Sequence, residues 1–193
     1  MDLRSGTAFL LSATLLCQLT FFAQEGGLVR PPKYDPEKYA DDPCGDPRVE
    51  SMLWEIVSGR VMKVIDAGTI IISLQNRRLV RVRLAGVAAS GAGEAAGREA
   101  KQFLENLAVG KAVEVLVNPS NWSFKKRRPK EIYGVVRLEG QGAADVNQAL
   151  IQAGMVRFQE AKPYTMSDYT ECQYRRAEEG ARAAKRGLWR GAA

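Results

Sequence analysis

Residues 57–91 read VSGRVMKVIDAGTIIISLQNRRLVRVRLAGVAASG, and the chain around this stretch forms three β-rich segments, 56–65, 69–74 and 78–84. Short turn-like sequences, 66–68 and 75–77, separate the segments. In the third segment Val80, Val82 and Leu84 alternate with Arg81 and Arg83, which is the period of two expected for a strand with one buried face. The pattern predicts a β-meander whose third strand carries a basic outer face.

The rest of the chain adds two strands and three helices. Apolar residues recur at helical spacing from Ala100 to Ala108, and Gly110 follows as a helix stop. Residues 113–117 and 132–138 predict a fourth and a fifth strand. Asp145 can cap a helix that runs to Gly154. The last helix is expected to start at Asp168, with Glu171 as its capping-box partner, Lys185 and Arg186 in its final turn and Gly187 as the stop.

The composition is that of a globular protein with a basic surface. The 193 residues are 46% hydrophobic and 26% charged, and the formal net charge is +6. A positive charge of this size favours a polyanionic partner. The sequence contains no histidine, which excludes histidine metal sites, nucleophiles paired with histidine, and nucleases that use an imidazole base.

The N-terminal part of the chain predicts export. Residues 1–23 contain Arg4 and then an apolar run, as expected for a signal peptide, and the alternative is an uncleaved anchor. Residues 24–52 hold five of the eight prolines and predict an irregular arm. The folded domain is expected to span 53–190. The mature protein should be secreted or extracytoplasmic, without a transmembrane segment.

Two cysteines remain after removal of the signal peptide, Cys44 and Cys172. An even number of cysteines in an oxidising compartment predicts a disulfide bond between them. This bond would attach the arm to the last helix. The alternative is two free thiols that are buried separately.

Six short motifs occur in one order along the chain. They are V-x-x-V-x-D-x-x-T at 61–69, V-R-L-x-G-V at 82–87, G-x-E-A at 97–100, Y-G at 133–134, V-N-x-A-L-x-x-A-G at 146–154 and G-L-W at 187–189. In this order they resemble the staphylococcal (thermonuclease-like) nuclease family. The resemblance implies an α+β fold, a five-stranded OB-type β-barrel with three helices. In active members it also implies one calcium ion beside the phosphodiester.

The chain departs from the family at the residues that would perform catalysis. Active members have D-G-D-T where this chain has Asp66-Ala67-Gly68-Thr69, so that a calcium ligand is replaced by Gly68. They have D-x-P-E where this chain has residues 88–91, so that Ala88 replaces a second ligand and Gly91 replaces the general base. Of the two phosphate-binding arginines, Arg83 is present and Val135 stands in the place of the other.

The residues themselves also argue against a calcium site, because calcium needs six to eight oxygen ligands with several carboxylates and no acid lies between Asp66 and Gly93. Glu94 is the nearest substitute for the missing base. The sequence thus predicts no intact catalytic site and no metal or cofactor. Calcium enters only in an alternative interpretation, a nuclease rebuilt on Asp66 and Glu94.

The segment between the fourth and fifth strands predicts nucleic-acid contacts. It carries two aromatic residues and then five basic residues in six positions. Together with the basic face of the third strand and the family tyrosine, these residues form the predicted binding set: Arg81, Arg83, Trp122, Lys125, Lys126, Arg127, Arg128, Lys130 and Tyr133. The alternative is a solvated turn whose aromatic residues pack on the barrel, and Tyr133 has the alternative role of barrel packing.

Three interpretations of function follow. The first is a secreted, non-catalytic module that binds single-stranded nucleic acid, another polyanion or a protein partner. The second is the calcium-dependent nuclease with the rearranged site. The third is an interaction module of the cell envelope that binds an envelope protein and no nucleic acid.

Overall fold

The five-stranded barrel is confirmed in a computed structural model, which describes residues 41–45, 54–91, 94–118, 131–140, 144–160 and 166–191. The predicted signal peptide, most of the predicted arm and the basic loop at 119–130 lie outside the described residues. The strands are β1 (Glu55–Asp66), β2 (Thr69–Leu74), β3 (Leu79–Leu84), β4 (Val87–Ala88), β5 (Ala112–Val117), β6 (Glu131–Leu138) and β7 (Arg157–Phe158). The helices are α1 (Ala95–Ala108), α2 (Val146–Gln152) and α3 (Asp168–Ala183).

The barrel closes in the order β1-β2-β3-β6-β5. Neighbouring strands are antiparallel except β3 and β6, which are parallel with Arg81 beside Glu131 and Arg83 beside Tyr133. The two short strands β4 and β7 form a separate antiparallel pair. The OB-type barrel with three helices predicted from the sequence is therefore confirmed.

Alternation of apolar and polar residues produces the barrel core. In β3, Val80, Val82 and Leu84 are buried and Arg81 and Arg83 are exposed, as the period of two predicts. The long strand β1 pairs with β5 along its first half and with β2 along its second half. Register shifts in the β1–β2 pairing allow β1 to bend and belong to both sides of the barrel.

Helix α2 is joined to the barrel through a buried asparagine. Asp145 accepts a hydrogen bond from the backbone N–H of Gln148 at 2.9 Å and caps the helix as predicted. Asn147 is fully buried, and its Oδ1 accepts from the backbone N–H of Val136 at 3.1 Å. Its Nδ2 donates to the carbonyls of Ala85 and Gly134 at 2.9 and 3.2 Å. Asn147 therefore has a structural role, because its amide links α2 to two barrel segments.

Both ends of helix α3 differ from the prediction in detail. The helix begins at Asp168, but Ser167 is the N-cap and accepts from the backbone N–H of Thr170 at 3.0 Å. Glu171 accepts instead from Arg175 at 2.6 Å. At the other end, the prediction that Lys185 and Arg186 lie in the last turn is wrong. The helix ends at Ala183, and Lys185 takes a left-handed φ of 51°.

A disulfide clasp, which we define as residues 41–45 bound to helix α3, confirms the predicted bond between Cys44 and Cys172. The Cα atoms of the two cysteines are 5.5 Å apart. Asp42 accepts hydrogen bonds from the hydroxyl of Tyr169 at 3.1 Å and from Nε2 of Gln173 at 3.2 Å. The alternative of two separately buried thiols is therefore wrong.

Candidate functional site

A cleft of about 540 Å³ lies where the β1–β2 turn, the end of β3 and strand β6 meet. Its lining comes from four parts of the chain: Asp66 and Gly68, residues 83–91, Tyr133, and Gln159 with Glu160. The cleft thus holds Arg83 together with the positions at which the family resemblance implies calcium ligands and the general base. Gly68, Ala88 and Gly91 line it without any side-chain oxygen.

Arg83 and Tyr133 lie side by side at this cleft. They are directly opposite each other in the parallel β3–β6 pair, and the guanidinium carbon of Arg83 is 5.7 Å from the centroid of the Tyr133 ring. A cation over an aromatic face at this distance is attracted to the ring. The structure thereby brings together the cation and the aromatic ring that the resemblance implies, and their role in binding stays a prediction.

Arg81 shares an acidic neighbour with Arg83. Nη1 of Arg81 is 3.4 Å from one carboxylate oxygen of Glu131, and Nη1 of Arg83 is 3.9 Å from the other. Glu131 is not among the residues predicted from the sequence for this face. The available signal was the period of two, because Glu131 lies two positions before Tyr133 and must point to the same side of β6.

The side chains of the cleft do not fit a calcium ion. Its carboxylates are those of Asp66 and Glu160. Oδ1 of Asp66 accepts from the backbone N–H of Gly68 at 2.8 Å, and Glu160 is paired with Arg175 at 2.7 Å. Among the described residues, no three His, Cys, Asp or Glu side chains form a group that could hold a metal ion. Two carboxylates that already have other partners fall short of the oxygen-rich shell that calcium requires.

Glu94 lies at the edge of this region. It is the exposed N-cap residue of α1, and its side chain makes no capping hydrogen bond. A β-carbon added to Gly91 would lie 3.6 Å from Oε1 of Glu94. The carboxylate therefore lies near the start of the missing family side chain. Among the described residues, however, those that line the cleft do not include Glu94.

Several predicted binding residues fall in the undescribed loop. Strand β5 ends at Val117 and β6 begins at Glu131, so the loop joins two neighbouring barrel strands. The positions outside the described residues are Trp122, Lys125, Lys126, Arg127, Arg128 and Lys130. Their contribution stays a prediction.

The G-L-W motif has a structural role and is not among the residues that line the cleft. A β-carbon on Gly187 would lie 2.2 Å from the carbonyl oxygen of Gly154, so only glycine fits there. Two guanidinium groups lie over the Trp189 ring, with that of Arg182 at 4.3 Å and that of Arg157 at 5.2 Å from its centroid. These contacts hold the C-terminal segment on the domain.

Tyr174, which is buried, and Asp145, which is partly buried, form a pair between helices α2 and α3. The tyrosine hydroxyl donates to the Asp145 carboxylate, with 2.9 Å to each oxygen. Burial raises the pKa of Asp145 above its ordinary value of 3.8. Burial, together with the neighbouring carboxylate, raises the pKa of Tyr174 well above its ordinary value of 10.0. Neither residue is among those that line the cleft.

None of the helices in the described part of the chain has the length and apolarity that a membrane span requires.

Comparison with known proteins identifies the family. A family model described as "Staphylococcal nuclease homologue" matches residues 78–191. The chain is also 30% identical over 141 residues to a micrococcal nuclease of Shigella flexneri, which covers 70% of this chain and 75% of that protein. The family match covers more than half of the chain and includes β3, Arg83 and Tyr133. The chain therefore belongs to the staphylococcal nuclease family.

Proposed function

We propose that this protein is a secreted, non-catalytic member of its family that binds single-stranded nucleic acid or a similar polyanion without cleaving it. The observation that carries the proposal is the cleft itself. It keeps Arg83 beside Tyr133, while the positions of the calcium ligands and the base hold Gly68, Ala88 and Gly91.

The binding chemistry follows from the exposed outer face of β3 and β6. The side chains of Arg81 and Arg83 are each 53% exposed and accessible to backbone phosphates. Tyr133 offers a ring on which a base can stack, a contact worth about 1–3 kcal/mol per base. The basic residues between positions 125 and 130 come just before β6 in the sequence and would extend the positive surface. Neither the phosphate contacts nor the stacking depends on the identity of the base, so binding is not sequence-specific. We expect it to be weak.

Cleavage of a phosphodiester needs groups that this cleft lacks. A nuclease must position a water molecule, remove its proton and stabilise the charge that develops on the phosphate. The second arginine position holds Val135, whose side chain is buried in the barrel core. The remaining groups, Arg83 and Asp66, can bind and orient a phosphodiester, but together they cannot supply these functions.

The disulfide supports export, because such bonds persist in oxidising compartments and are rare in the cytosol. We therefore place the protein outside the cytoplasm. A calcium-dependent nuclease is the second candidate. Two observations favour it over the third interpretation, the envelope interaction module. One relative is named a micrococcal nuclease, and Glu94 lies beside Gly91.

Binding and cleavage should be measured together, with labelled single-stranded DNA and RNA and with or without calcium. We expect binding without cleavage, and a log-log salt dependence with a slope of about −2 to −3.5. Replacing Lys125, Lys126, Arg127 and Arg128 with serine should flatten this slope. Tyr133→Ala should weaken binding and leave the slope nearly unchanged, because it removes stacking and no charge.

Two results would refute the proposal in different ways. Calcium-stimulated cleavage that is lost in Glu94→Gln would establish the rearranged nuclease. Absence of binding even at low salt would leave the envelope interaction module, in which the basic face contacts a protein.

A further inference from the structure

The two arginines of the β3 face already have an anionic partner within the protein. The carboxylate of Glu131 lies between them, with 3.4 Å to Arg81 and 3.9 Å to Arg83. The parallel register places Glu131 beside Arg81 and Tyr133 beside Arg83. The four side chains form a two-by-two group of two cations, one anion and one aromatic ring, which we call the arginine fork.

Glu131 occupies the place that a phosphate would take. An anion that bridges two guanidinium groups must lie between them, and one carboxylate oxygen faces each group in the fork. The carboxylate is less exposed than either arginine, at 33% against 53%. A phosphate that contacts both arginines must therefore displace Glu131 or approach it closely, and like charges at that distance repel.

We propose that Glu131 is an internal competitor that limits the affinity of this face for phosphates. This inference rests on the proposed function, since it concerns the same binding surface. Glu131 neutralises one of the two positive charges of the fork, so a bound strand gains less from Arg81 and Arg83 than two unpaired arginines would give. Strands with a high local density of phosphate then compete best for the fork.

The test compares two variants that each remove one negative charge, at opposite ends of β6. Glu131→Gln keeps the shape of the side chain and removes the competing anion. Glu139→Gln is the matched control, because Glu139 is exposed and directly follows the opposite end of β6, about 26 Å away at the rise of an extended strand. Binding of a fluorescein-labelled single-stranded oligothymidylate is measured by anisotropy over a series of salt concentrations.

We expect Glu131→Gln to bind the oligonucleotide roughly five- to tenfold more tightly at low salt, with the gain shrinking as salt screens the charges. The log-log salt slope should steepen by about 0.7, the single-strand value for one further phosphate contact. At 0.1 M salt Glu139→Gln should change affinity by less than about twofold, since the Debye length is then about 10 Å. Arg83→Ala should reduce affinity more in the Glu131→Gln background than in the wild type.

Four outcomes overturn the inference. Equal gains in Glu131→Gln and Glu139→Gln would show an effect of net charge alone. Weaker binding by Glu131→Gln would show that the carboxylate positions the arginines for binding. If the wild type binds and Glu131→Gln binds equally well, the competitor role is refuted and the proposed function stands. If neither protein binds, both the inference and the proposed function fail.

Discussion

Replacing Cys44 and Cys172 together with alanine should lower the free energy of unfolding substantially. The two cysteines are 128 residues apart, and in the chain-entropy model a loop of this length restricts the unfolded chain by about 4.9 kcal/mol. Native disulfides of small secreted domains typically contribute about 2–5 kcal/mol. We therefore expect a loss in the upper part of that range, which corresponds to a fall in melting temperature of roughly 10–20 °C.

The measurement is urea unfolding followed by circular dichroism, with wild type and variant under the same non-reducing conditions. Asp42→Ala is the control, because it keeps the disulfide and removes the hydrogen bonds from Tyr169 and Gln173. It should cost about 1–2 kcal/mol. If the double cysteine variant loses less than about 1 kcal/mol, or no more than Asp42→Ala, the reasoning from loop closure is refuted for this protein.

Three further predictions concern buried polar groups. Asn147→Ala should cost about 3–5 kcal/mol, because it removes three buried hydrogen bonds and leaves their backbone partners unsatisfied; a loss no larger than that of Gln148→Ala on the same helix would contradict this. Tyr174 has a raised pKa in the folded protein, so its stabilising contribution is present below pH about 10 and falls above it by up to about 1.4 kcal/mol per pH unit. Tyr174→Phe should show a shallower loss of stability between pH 9 and pH 11 in urea titrations, and equal slopes would refute the assignment. Asp145 also has a raised folded-state pKa, so its contribution favours the fold below pH about 4 and is lost as pH rises through the folded value. Between about pH 3 and 7, the free energy of unfolding of Asp145→Asn should therefore rise relative to that of the wild type as pH increases. A fall relative to the wild type would be the contrary result.

The local pattern of the chain was enough to predict the five strands and the three helices, and the family resemblance implied that the strands close into a barrel. The period of two in β3 assigned Val80, Val82 and Leu84 to the core, and the structure buries all three. The disulfide could be predicted because two cysteines, an even number, remain after removal of the signal peptide. These features depend on neighbouring residues or on a simple count, and both are visible in a sequence.

Features that depend on how distant segments meet were harder to predict. The period of two places Glu131 on the same face of β6 as Tyr133, but the parallel β3–β6 register that puts it beside Arg81 arises only when the barrel closes. Helix α3 ends earlier than predicted because Lys185, two residues before Gly187, already takes a left-handed φ of 51°. Gly187, the usual kind of residue for such a stop, is also left-handed, with a φ of 49°. The contribution of the loop at 119–130 to the site remains a prediction.

The parallel pairing of β3 with β6 also has a consequence for folding. Arg81 pairs with Glu131 across 50 residues of sequence, so β3 keeps an open edge until β6 reaches it, and contacts between such distant segments form slowly. The hairpins of β1, β2 and β3 can form earlier, because they are close in sequence. An open strand edge can pair with another chain, and charged side chains on that strand hinder this. We therefore expect Arg81 and Arg83 to protect the newly made chain from aggregation before the barrel closes, and variants that lack both charges to give lower soluble yields on refolding.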